Sequence, residues 1–272
     1  MKNIIIPIDF SKQSEFALET GAILAKKHNA KLHVLHMLEL SESLVSYSKT
    51  ENKNEMMFML AYAKKRFEEF VDKEYLQGVN LEPVIKHHKV YKEVDALAKE
   101  ISADLVIMGS HGLTTQDGLF AGSNAEKMVR NSDTPVLIVK SKPENFDLKN
   151  IVLGTSMNKE SVATYQKASK IFETLGSTLY PVYVNRPNNG FISSEEFNEK
   201  RKGFATAGGT DKVEFIAGYT VEDGLVQHAE QTNADCIAVS THARKGLNHF
   251  FKGSISEDLA NHAKLPVMTF KL

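Results

Sequence analysis

The chain has 272 residues, of which 42% are hydrophobic and 25% charged, with a formal net charge of −1; that is long for one compact unit and enough for two. So balanced a charge provides no field to gather nucleic acid or an anionic membrane, and no stretch approaches the roughly 18 apolar residues of a membrane span. The single cysteine, Cys236, excludes an internal disulfide, so packing must hold the fold.

In chain order, strands are expected at about 2–8, 31–37, 80–87, 104–109 and 135–140 of the first half. They are β-branched and almost continuously apolar, the pattern of a parallel sheet buried on both faces. Between them, Met56, Met59, Leu60, Ala63, Phe67, Phe70 and Val71 recur at helical spacing and predict a long helix with this face in the core. Val90, Val94, Leu97, Ala98 and Ile101 do the same for a shorter one. Ser11 and Ser14 read as N-cap residues after the first strand. In the second half strands fall near 149–155, 178–184, 212–217, 235–240 and 266–270, with a short helix near 192–204. Cys236, inside an apolar run, reads as core filler.

The halves repeat each other. Lys2-Asn3-Ile4-Ile5-Ile6 resembles Lys149-Asn150-Ile151-Val152-Leu153 at an offset of 147. Asp104 to Met108 matches Asp235 to Val239, Gly122-Ser123 matches Gly253-Ser254, and Thr134-Pro135-Val136 matches Leu265-Pro266-Val267, all at 131. The offsets differ by 16 residues, lost from the middle of the second half. A polar linker near 140–145 divides the chain into expected domains 1–143 and 147–272. Alternating strands and helices predict an α/β fold, two tandem repeats, with right-handed crossovers. Ligands of such sheets bind beyond the carboxyl ends of the strands, where strand order reverses.

The fourth strand of the first half runs into Gly109-Ser110-His111-Gly112, followed nine residues later by Gly122-Ser123. Gly109 allows close approach of a base or ribose, Gly112 a positive φ, and Gly122 close approach of phosphates to the backbone. Ser123-Asn124-Ala125-Glu126 reads as a capping box opening a helix, whose free N–H groups and dipole favour anionic oxygens. Asp9, following the first strand, belongs to the same crevice, where it could accept a ribose hydroxyl or hold Mg²⁺. The loop is neither a Walker A nor a Rossmann G-x-G-x-x-G pattern. A capped helix that binds nothing is the competing reading of the same residues.

Asp104 to Gly112, Gly122-Ser123 and Thr134 to Val139, with Ile4 to Ser11, resemble the universal stress protein (UspA) superfamily along the whole chain, as a tandem pair. The resemblance implies a five-stranded parallel sheet per repeat with helices on both faces, of the adenine nucleotide alpha hydrolase-like kind, and ATP as ligand, with Mg²⁺ as an accompanying candidate. It would set Pro7, Asp9 and Met37 around base and ribose and Met108 and Gly109 against the nucleoside. Gly112, Gly122, Ser123 and Asn124 would surround the phosphates. Met37 and Met108 read equally well as core. The resemblance further implies an intramolecular pseudo-dimer joined last strand to last strand, a homodimer as a further assembly, an unidentified protein partner, and a cytoplasmic stress-response role.

The second half departs from the motif. Ser240 and Ala243 replace the two loop glycines, Ser156 stands where Asp9 does, and Gly253-Ser254 remain. Ala243 resists a left-handed turn by roughly 1–2 kcal/mol, so this loop is expected to bind ATP weakly or not at all. Arg244, Lys245 and Lys252 are read there as solvated side chains or contacts to the other half, with the holding of another anion as the alternative. The histidines show no zinc spacing, and no nucleophile has an identifiable base. A nucleotide-reading binding module leads; a slow Mg²⁺-dependent ATPase using Asp9 and a ligand-free scaffold remain as alternatives.

Overall fold

The computed structural model describes residues 1–38, 50–87, 90–110, 123–144, 146–187, 190–241, 259 and 263–271. The first half runs β1 (Asn3–Ile8), α1 (Lys12–His28), β2 (Lys31–Leu38), α2 (Thr50–Val71), a 3₁₀ turn (Glu74–Leu76), β3 (Asn80–His87), α3 (Val90–Glu100), β4 (Leu105–Gly109), α4 (Ser123–Asn131) and β5 (Val136–Val139). The second runs β6 (Asn150–Gly154), α5 (Lys159–Leu175), β7 (Thr178–Asn185), α6 (Ser194–Thr206), β8 (Glu214–Ala217), α7 (Val221–Gln231), β9 (Cys236–Thr241) and β10 (Val267–Lys271).

Among the described residues all ten strands form one sheet, in the order β3-β2-β1-β4-β5-β10-β9-β6-β7-β8. Each half is parallel throughout and ordered 3-2-1-4-5. The halves meet where β5 and β10 pair antiparallel, Ile138 with Val267, Leu137 with Met268 and Val136 with Thr269. The pseudo-dimer expected of the resemblance is therefore built through the sheet itself.

Alternation along the strands sorts side chains into two layers. Ile4, Ile6 and Ile8 join Leu105, Ile107, Leu137 and Val139 beneath α1 and α2, and this core continues through Met268 and Phe270 to Phe172 of α5. Ile5, Val106 and Ile138 face the other way, under α3 and α4. Val152, Ile237 and Val267 build a separate core under α7. Cys236 is fully buried, and burial raises its thiol pKa. One expectation fails. In α2 Ala63 and Phe67 are buried, but Met56 is 38% exposed and Met57 and Phe58 more so. Met59 and Leu60 are half-buried, and the helix enters the core through Ala63 and Phe67.

The duplication reaches the backbone. Left-handed residues recur at matching positions: Phe10 (φ 64°) with Met157 (53°), Asn29 (51°) with Gly176 (73°), and Ser102 (52°) with Asn233 (50°). Asp104 accepts the N–H of Asn3 at 3.0 Å and that of Lys2, while Asp235 accepts those of Lys149 at 2.9 Å and Asn150 at 2.8 Å. Each aspartate thus ties the start of one central strand to the start of its neighbour.

Candidate functional site

Strand order reverses between β1 and β4, which opens a crevice at their carboxyl ends. The register between them includes Ile4↔Leu105 and Ile5↔Val106. Alternation turns residues 3, 5 and 7 toward the same neighbour, and Pro7 has no N–H to offer β4. A proline that would weaken a central strand elsewhere sits where the two strands part. Pro7 is buried.

Past the strand, Asp9 and Ser11 shape the turn into α1. The Asp9 carboxylate accepts the N–H of Ser11 at 3.0 Å. The Ser11 hydroxyl caps α1 by accepting the N–H of Ser14 at 3.1 Å. Ser14 is no cap: it lies inside the helix and its hydroxyl donates to Ser11 O at 2.9 Å. Between Asp9 and Ser11, Phe10 holds a left-handed conformation unusual for a bulky residue. Its ring packs against His36 at 4.2 Å, Phe70 at 5.4 Å and the Arg66 guanidinium at 4.5 Å. His36 Nδ1 in turn lies 3.2 Å from Ile8 O. The aspartate's turn is thus clamped by β2 and α2, an arrangement carried by no sequence spacing.

Of the sequence-predicted residues, Pro7, Asp9 and Gly109 gather at this end of the sheet. Met37 and Met108 are the penultimate residues of β2 and β4, the strands on either side of β1, but are buried, 9% and 6% exposed, in the core under α3 and α4. Gly112 and Gly122 lie outside the described residues, as does the side chain of Ser123. Ser123 is the first residue of α4 and Asn124, next along it, is exposed. Glu126 gives its carboxylate to Arg130 at 2.9 Å. Gly109 has a further tenant: a Cβ there would lie 2.7 Å from the backbone C and O of Gln13 in α1. Its bareness is already used by the protein.

The same crevice in the second half is chemically different. Ser156 hydrogen bonds Ser161 at 2.8 Å, and Thr155, not an acid, accepts the N–H of Met157 at 3.1 Å. Ser240 pairs with Phe270 at the register position that Gly109 holds opposite Val139. A groove of about 450 Å³ between α7 and residues 259 and 263 is rimmed by Glu222 and Asp223, carboxylates that repel phosphate. Among the described residues no three metal-ligating side chains gather, and no helix is long and apolar enough to cross a membrane.

The sequence model of the universal stress protein family matches residues 1–140 and again 147–271. The chain belongs to the universal stress protein family. A universal stress protein of Methanocaldococcus jannaschii is 28% identical over 155 residues, covering 52% of this chain and 96% of its own length. Universal stress protein G of Escherichia coli is 29% identical over 142 residues, covering 51% of this chain and 99% of its own. These relatives are the length of one repeat. The crystal structure of a universal stress protein from Archaeoglobus fulgidus matches the tandem fold, with a TM-score of 0.73 at 19% identity over 99% of this chain and 98% of that one.

Proposed function

We propose that this universal stress protein binds ATP in the first-repeat crevice and acts in the cytoplasm as a stress-response regulator through nucleotide-dependent conformation or assembly. In this reading residues 1–143 carry the working loop and 147–272 a degenerate one. The observation that supports it is that β1 and β4 are paired at the strand-order switch, with Asp9 directly following β1 and Gly109, the first glycine of the G-x₂-G-x₉-G-S segment that leads to α4, ending β4. Asp9 would take a ribose hydroxyl or Mg²⁺, and the α4 N–H groups would take phosphate oxygens. Ser156, Ser240 and Ala243 deprive the second crevice of that acid and both loop glycines.

Calorimetry with ATP and Mg²⁺ tests this, together with mass spectrometry of nucleotide released from the purified protein. One ATP per chain is expected. No heat and no co-purifying nucleotide would refute it and leave the interaction scaffold.

A further inference from the structure

Each repeat has one strand-end glycine under a helix, and the two repeats put it in different places. In the first, Pro7 is the last residue but one of β1 and Gly109 the last of β4. At the equivalent positions the second has Gly154 on β6 and Ser240 on β9. The two glycines do different work. A Cβ on Gly109 would meet the Gln13 backbone at 2.7 Å and the Gln13 Cβ at 2.8 Å. Backbone in a capped helix turn cannot step aside cheaply. A Cβ on Gly154 would instead meet Leu225 Cδ1 of α7 at 2.8 Å. Gly109 lies on the α1 face of the sheet and Gly154 on the α7 face, as alternation from Ile107 and Val152 requires.

The helices follow the glycines. In the first repeat α1 lies close along β1 and β4. In the second, its counterpart α5 stands further off β6 and β9, and α7 is the helix that lies close along β6. We infer that Gly109 is a positioning residue: its missing Cβ seats the first turn of α1 against the end of β4, and this seating sets where Asp9 stands in the crevice. Asp9 and Gln13 belong to one rigid piece, because Asp9 and Ser11 are joined at 3.0 Å and Ser11 caps the helix. A side chain at 109 pushes that piece away from the end of β4. Ser240 does so in the second repeat, so that crevice differs in the seating of its wall as well as in its loop. This rests on the ATP reading for its effect on affinity, not for the seating itself.

The test compares Gly109→Ala with Ser240→Gly by amide hydrogen exchange without ligand and by ATP calorimetry. For Gly109→Ala, faster exchange is expected at the first-turn amides of α1, near Ser14 and Glu15. ATP affinity should fall about tenfold or more, the scale of losing one charge-assisted hydrogen bond. For Ser240→Gly, slower exchange is expected at the first turn of α5, near Ser161, with ATP affinity unchanged. Affinity lost in Gly109→Ala with unaltered α1 exchange would overturn the inference and make the glycine a direct ligand contact. If Gly109→Ala does not fold, unchanged α5 exchange in Ser240→Gly overturns it alone. If wild-type protein binds no ATP, the functional reading fails while the exchange arms still decide the seating.

Discussion

Lys140 and Lys271 hold equivalent places at the ends of β5 and β10, and each reaches across the seam to carbonyls of the other repeat. Lys271 donates to Asn131 O at 3.0 Å and to the Asp133 carboxylate at 2.8 Å. Lys140 donates to Leu259 O at 3.1 Å and to Ala263 O. The exchange completes the antiparallel pairing of the strands with two cationic ties to backbone carbonyls. The ties are unequal. Asp133 is held below the usual carboxylate range chiefly by its hydrogen bond to Lys271, and its counterpart in the second repeat is Lys264. Lys140 has carbonyls for partners, and burial lowers its pKa to about 8.

A pH dependence follows. Below pH 8 the Lys140 amine is protonated in folded and unfolded chains alike, so it adds no slope. From about pH 8 to the ordinary lysine value of 10.5 the unfolded chain holds a proton that the folded chain does not. Stability should therefore rise with pH across that window. The neutral amine keeps N–H donors for both carbonyls. Urea midpoints at pH 7 and pH 9.5 check this: wild type should gain relative to Lys140→Met between the two. A loss relative to the variant would show that the ammonium is not penalised by burial.

Asp104 and Asp235 make the same two bonds in their own repeats. Replacing either with alanine should cost about 1–2 kcal/mol, and the double variant should cost the sum to within about 0.5 kcal/mol, since the sites share no partner. Chemical denaturation of the three variants decides it. A strongly unequal pair would mean that the strand starts are not equivalently tied.

Phe10 combines a strained backbone with a well-packed ring. Phe10→Ala and Phe10→Gly both lose the contacts to His36, Phe70 and Arg66. The glycine variant also escapes the left-handed penalty, so it should be the more stable of the two by about 1 kcal/mol. The order usual elsewhere, alanine above glycine, would argue against a left-handed turn at this position.

In the proposed ATP site, Gly122→Val should abolish nucleotide binding by crowding the phosphates while the protein still folds. Gly253→Val should leave binding unchanged. Calorimetry on both variants, with circular dichroism for folding, distinguishes them. If the second substitution were the damaging one, the working and degenerate repeats would be exchanged.

The central strands were legible because parallel, doubly buried strands are uninterrupted apolar runs; the edge strands β3 and β8 are more exposed, with Glu82, Pro83 and Lys86 breaking the run in β3, yet all ten observed bounds fall within two residues of those expected. Asp9 and Gly109 were legible as strand-end residues, since spacing fixes where a strand stops. What periodicity could not give was depth and contact. Met56 has the right spacing for a core residue, but among the described side chains of α2 only Ala63 and Phe67 are buried, and Met56 is exposed. The Phe10 stack joins three elements distant in sequence. The tie from Lys140 to residues 259 and 263 spans more than a hundred residues, and a lysine at a strand end carries no mark of its acceptor. Gly109 was read for a ligand's sake, whereas the nearest atoms it makes room for belong to Gln13.

The seam between β5 and β10 has a consequence for stoichiometry. Two separate single-repeat chains that met through such strands would be parted by dilution and could exchange mates. Here both surfaces belong to one polypeptide, so their encounter is intramolecular and independent of protein concentration. Every molecule then carries one crevice of each kind in a constant ratio, however scarce the protein becomes.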